Sequence, residues 1–125
     1  MPTHAVIWID HKEARIFHVD PDGTDAATVL APQHHFHRHP KGHDDTKQTA
    51  DAHRFFDEVT RMCDDVDALL IVGPSTAKLE FFRYLHEYHR RLESKVVGVE
   101  SADHPTDGEI VARARSCFMA SDRMG

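Results

Sequence analysis

Two runs of this chain, Ala5-Val6-Ile7-Trp8-Ile9 and Ala68-Leu69-Leu70-Ile71-Val72, are apolar at every position. A strand with one face in water alternates apolar and polar residues, so short unbroken runs of this kind are strands covered on both faces. Covering both faces requires helices above and below one sheet, which fixes the class as α/β.

The remaining segments supply that cover. Asp10-His11-Lys12-Glu13 is turn-like, and Ala14 to Val19 resumes a strand, so the first two strands pair as a hairpin. Pro21-Asp22-Gly23 marks a second turn, and Ala26 to Leu30 supplies a third strand before Pro32. From Thr46 to about Cys63, Ala50, Phe55, Val59 and Met62 fall on one helical face, with Asp45 and Gln48 spaced to cap its start. After the fourth strand, Gly73-Pro74 opens a long helix on which Leu79, Phe82, Leu85 or His86, His89 and Leu92 recur at helical steps, with Phe81, Tyr84 and Tyr88 widening the face. His86 and His89 read as partly buried packing residues on that stripe. Val96 to Val99 is a fifth strand. Thr106-Asp107-Gly108-Glu109 has the spacing of a capping box opening a last helix that turns Ile110, Ala114, Cys117 and Phe118 inward.

The order is three antiparallel strands, then helix, strand, helix, strand, helix. It predicts a ribonuclease H-like three-layer fold with a mixed five-stranded sheet and helices on both faces. Hydrophobic residues make up 40% and charged residues 29% of the 125, a globular balance. One domain is expected over residues 1–125, with a core over about 4–118, an exposed histidine-rich loop over about 33–45 and a mobile tail over about 119–125. No apolar run is long enough to cross a bilayer and no secretory leader is evident, which places the chain in the cytoplasm, away from membranes. Cys63 and Cys117 have neither metal-ligand nor redox spacing and read as buried thiols.

A net charge of -6 argues against broad attraction to nucleic acid, and no DNA partner is expected. Any RNA contact must come from a local patch. The chain has twelve histidines, five of which (His34, His35, His37, His39, His43) lie within ten residues. In an extended segment His35, His37 and His39 project to one side, and neutral imidazoles suit a divalent transition metal such as zinc or nickel, at an oligomer interface or within one chain. A homo-oligomer is compatible with this reading. Alternatively, Arg38, Lys41 and Lys47 contact RNA phosphates while histidines stack on bases. Asp10, at the end of the first strand, is where a metal-dependent nuclease of this fold would begin its carboxylate set, with Asp67, Asp103 and Asp107 as the other acids in reach of strand ends. Gly73-Pro74-Ser75 with Lys78 reads as a helix start rather than a nucleotide loop, which needs further glycines. No Ser, Thr or Cys stands in a nucleophile setting, so no covalent catalysis is expected.

Ala5 to Asp10 through Ala14-Arg15-Ile16-Phe17, then Leu69 to Pro74 with Lys78 and Phe82-Arg83-Tyr84-Leu85, resemble the central domain of the archaeal and eukaryotic release factors and Pelota. Val97-Gly98-Val99-Glu100 to Asp103-His104-Pro105-Thr106-Asp107-Gly108 is similar to small bacterial single-domain relatives labelled translational machinery proteins. The resemblance spans roughly residues 4 to 118 and implies a translation-related role with the ribosome or ribosomal RNA as partner. In the full release factors this domain carries a Gly-Gly-Gln loop between the third strand and the first helix, which promotes ester hydrolysis. Here that position reads His39-Pro40-Lys41-Gly42-His43-Asp44-Asp45-Thr46-Lys47-Gln48. Gln48 follows Thr46 and Lys47, which do not give the free backbone approach of two glycines, so peptidyl-tRNA hydrolysis does not carry over. Nor does stop-codon decoding, which belongs to a separate domain of those proteins. The contact residues implied are Arg38, Lys41, His43, Lys47 and Gln48.

Overall fold

A computed structural model describes residues 3–20, 23–32 and 45–124. It contains β1 (His4–Ile9), β2 (Glu13–Asp20), β3 (Gly23–Leu30), α1 (Asp45–Met62), β4 (Ala68–Gly73), α2 (Ala77–Tyr88), α3 (Arg90–Glu93), β5 (Val96–Ser101) and α4 (Asp107–Met124). One sheet runs in the order β3-β2-β1-β4-β5. β1, β2 and β3 are antiparallel neighbours, while β4 lies parallel to β1 and β5 parallel to β4. This is the ribonuclease H-like arrangement expected from the element order.

The unbroken apolar runs are explained by what covers them. Successive strand residues point to opposite faces. Ala5, Ile7, Ile9, Leu69 and Ile71 pack beneath α1, α2 and α3 with Phe55, Val59, Phe81 and Leu85. Val6, Trp8, Leu70 and Val72 pack on the other face against Ile110, Ala114 and Phe118 of α4. Both faces of β1 and β4 are therefore dry, and each needs an apolar residue at every position.

α4 opens with the expected capping box. The Thr106 amide donates to Glu109 Oε1 at 2.8 Å, and the Glu109 amide donates to Thr106 Oγ1 at 3.2 Å. The helix continues past Phe118 to Met124.

Three local expectations are corrected. β3 begins at Gly23 rather than Ala26, because all eight residues pair with β2 although most are exposed. The helix after Gly73-Pro74 does not run unbroken to Leu92. His89 leaves helical geometry (φ -140°, ψ 61°) between α2 and the short α3. Its buried face is Ala77, Phe81, Tyr84 and Leu85, whereas Leu79 is 54% exposed. The adjacent pairs Phe81-Phe82 and Tyr84-Leu85 allow two overlapping apolar stripes, and packing against Phe56 selects the one through Phe81 and Tyr84.

Candidate functional site

The segment joining β3 to α1 leaves the sheet beside the β1–β2 turn. Asp10 Oδ1 accepts the amides of Lys12 (2.8 Å) and Glu13 (2.9 Å), which closes that turn, and the Ala31 amide donates to the Lys12 carbonyl, pinning the end of β3 to it. Of the residues expected to make contacts, Arg38, Lys41 and His43, and the metal candidates His35, His37 and His39, lie outside the described residues. Lys47 and Gln48 fall in the first turns of α1, and their side chains, like the Asp45 cap, also lie outside what is described.

The nuclease carboxylates do not converge. β1 and β4 are parallel with His4 opposite Ala68, so Asp67 stands at the other end of the sheet from Asp10. There Asp67 Oδ2 accepts the Thr3 amide at 2.9 Å, an interaction that holds its carboxyl below the usual range. Asp107 pairs with Arg15 at 3.1 Å on the α4 side, and Asp103 lies beside His104 at 3.3 Å. Asp10 is occupied by its turn. Among the described residues no group of three or more His, Cys, Asp or Glu could hold a metal ion.

Gly73-Pro74-Ser75 starts a helix, as expected. Lys78 is 8% exposed and its ammonium donates to the Ser75 carbonyl at 2.6 Å, closing the turn from inside. Burial pushes the Cys63 thiol up to about 12, which keeps it protonated and inert. Cys117 is half-buried rather than buried.

His86 and His89, expected to pack alike, differ. His86 is exposed and bonds Glu93 through Nδ1 at 3.0 Å. His89 is half-buried, and its Nε2 meets Asp57 Oδ1 at 3.2 Å, the same oxygen that accepts the Tyr84 hydroxyl at 2.6 Å. This cluster joins α1 to the break between α2 and α3, and sequence spacing alone does not show it. The Tyr84 hydroxyl, aided by His89, holds the Asp57 carboxyl below its ordinary range, against a weaker opposing effect of burial. Burial and the Asp57 carboxylate push the Tyr84 phenol well above its own. A carboxyl that ionises more readily when folded stabilises the fold above the unfolded value, about pH 4, and that contribution is lost as pH falls through the lower folded value. Tyr84→Phe should therefore lower Tm at neutral pH, with the gap to the parent narrowing below about pH 4. Thermal melts across pH measure this, and a gap independent of pH would refute the assignment.

Between the helices lies a groove formed by two adjoining cavities of about 300 and 330 Å³. The first opens beside Asp10, His11 and Pro32, and the second runs on between α1 and α2 past His53, Tyr84 and Tyr88. Among the described residues no helix is long and apolar enough to cross a membrane.

No protein-family model and no curated protein matches this sequence. Solved structures do match in fold. Pelota from Archaeoglobus fulgidus superposes with a TM-score of 0.65 at 15% identity, covering 92% of this chain and 31% of its own. Pelota from Thermoplasma acidophilum gives 0.60 at 20% identity, covering 97% and 39%. The archaeal translation termination factor aRF1 gives 0.62 at 15% identity, covering 98% and 39%. This chain thus spans about a third of the length of the solved proteins it matches. Its fold is the one the sequence resemblance implied, that of the central domain of the release factors and Pelota.

Proposed function

We propose that this chain is a translation-associated protein that contacts the ribosome through the segment between β3 and α1 and does not hydrolyse peptidyl-tRNA. The observation that supports this reading is the likeness in fold to the archaeal translation termination factor over 98% of the chain. From the end of β3 into the first turns of α1 the sequence carries Arg38, Lys41, His43, Lys47 and Gln48, and none of the chain's six glycines is adjacent to another. Without a Gly-Gly-Gln element the segment offers cations to RNA phosphates and no catalytic backbone. Because the chain as a whole carries a net charge of -6, binding must rest on these few cations and should be salt-sensitive.

Sedimentation with ribosomal particles from the source cells is the test. Three phosphate contacts predict an affinity loss of roughly 20- to 40-fold between 50 and 200 mM salt. The combined variant Arg38→Ala, Lys41→Ala, Lys47→Ala should not co-sediment. Absence of the intact chain from ribosomal fractions at every salt concentration would overturn the proposal.

The five histidines within ten residues favour a second reading, a divalent zinc or nickel ion held by His35, His37 and His39. Retention of zinc in equilibrium dialysis, lost on changing those three residues to Ala while the intact chain ignores ribosomes, would move the assignment to it.

A further inference from the structure

We propose that the apolar groove between α1 and α2 is a docking surface for a basic peptide segment of a partner protein. The two cavities share Ala52, Phe56 and Glu80, so they form one continuous channel along the helix pair. Its floor is apolar, built from Phe55 and Phe56 of α1 and Ala77 of α2. Such a floor suits a chain that brings apolar side chains as well as charges.

The occupant is argued from charge. Asp10, Asp51, Glu80 and Glu87 line the groove; Asp51 pairs with Arg54 at 4.0 Å, and Arg83 is the one Lys or Arg lining the groove among the described residues. Glu80 accepts the Thr76 hydroxyl at 3.0 Å and meets His11 at 3.2 Å, while Asp10 accepts two amides. None of these partners is a Lys or Arg side chain, and the bonds hold the carboxylates in place. At the outer end Tyr84, Tyr88 and His53 form a contiguous aromatic surface, with ring centres 5.0 to 5.2 Å apart. Tyr88 is 57% exposed and adjoins Glu87. An aromatic face beside a carboxylate is the setting in which an arginine guanidinium stacks and pairs at once. The same carboxylates repel a phosphate backbone, so the groove selects against RNA.

The outer cavity of this groove is lined by residues of α1 and α2 alone, and the inference stands whether or not ribosome binding does. Fluorescence anisotropy of a labelled peptide of Leu-Arg-Ala-Lys repeats, titrated with the full chain at low salt, tests it. Glu80→Lys with Glu87→Lys should weaken binding roughly tenfold or more, and Tyr88→Ala about threefold. Because Glu80 has structural partners, Glu87→Lys alone, at an exposed position, should still weaken binding about threefold in a chain whose Tm is unchanged. The Arg38, Lys41, Lys47 alanine variant should bind the peptide as the parent does. Unchanged affinity in the Glu87→Lys and Tyr88→Ala variants would overturn the proposal.

Discussion

Gly73→Ala should cost this chain about 3 kcal/mol or more and lower its Tm by about 10 °C. Gly73 ends β4 where that strand passes beside the end of β1. A Cβ added there would land inside the van der Waals envelope of the Ile9 carbonyl oxygen, and the next nearest atoms are the Ile9 carbonyl carbon and amide nitrogen. All three belong to backbone, so no side chain can swing aside to make room. Neither strand can retreat easily. β1 is held between β2 and β4, and Gly73 itself pairs with Ser101 of β5 while its carbonyl accepts the Ala102 amide at 2.9 Å. The requirement is for space rather than for an unusual backbone angle. Gly98→Ala is the control, since its Cβ would meet the Leu70 side chain at 3.4 Å and Glu100 Oε2 at 3.9 Å. That substitution should cost under about 1 kcal/mol. Urea and thermal unfolding of both variants decide the matter, and equal effects at the two glycines would show that the close approach to Ile9 does not govern stability.

The same crowding shows why so much of the sheet was legible in the sequence. A strand dry on both faces tolerates no polar residue, so β1 and β4 declare themselves as uninterrupted apolar runs. β3 declared only its second half. Its first residues, Gly23, Thr24 and Asp25, have turn chemistry and are exposed, and only pairing with β2 holds them extended. The phase of α2 was ambiguous because Phe81-Phe82 and Tyr84-Leu85 satisfy two stripes at once, a choice that only the partner helix makes. The break at His89 likewise carries a contact with Asp57, 32 residues earlier, that no local pattern announces. The groove was illegible for a related reason. Asp10, Asp51, Glu80 and Glu87 come from a turn and two helices, and no local pattern connects them before the sheet brings those elements together. The residues implied by the resemblance were assigned by their place between the third strand and the first helix; Lys47 and Gln48 fall within α1, and Arg38, Lys41 and His43 lie outside the described residues.

Trp8→Ala should destabilise the chain by about 3–5 kcal/mol, with the damage greatest where α4 begins. Trp8 is 2% exposed and lies on the α4 side of β1, in the cluster with Phe17, Val72 and Ile110. Removing it loses the transfer energy of a large ring and leaves a hole that strand backbones cannot collapse into. The indole also organises the approach to α4. Its Nε1 donates to the Asp103 carbonyl at 3.3 Å, and the His104 ring lies 5.6 Å away. The Arg15 guanidinium sits 5.1 Å over the indole and pairs with Asp107 at the helix start. Truncation therefore removes the support beneath both the connection and the first turn of the helix. Trp8→Phe keeps most of the apolar contact and loses the N–H donor, for a cost of about 1–2 kcal/mol. As Trp8 is the single tryptophan, circular dichroism rather than fluorescence must follow unfolding. Hydrogen exchange locates the effect. The Ile110 amide, bonded to the Thr106 carbonyl at 3.0 Å, should lose protection in Trp8→Ala beyond the global change, while amides at the centre of α1 follow the global change alone. Equal loss of protection in the two helices would mean that Trp8 fills the core without anchoring α4. The distinction bears on the architecture, because α4 is the only helix among the described elements that seals its face of the sheet, and Trp8 is the central-strand residue that reaches the connection leading into it.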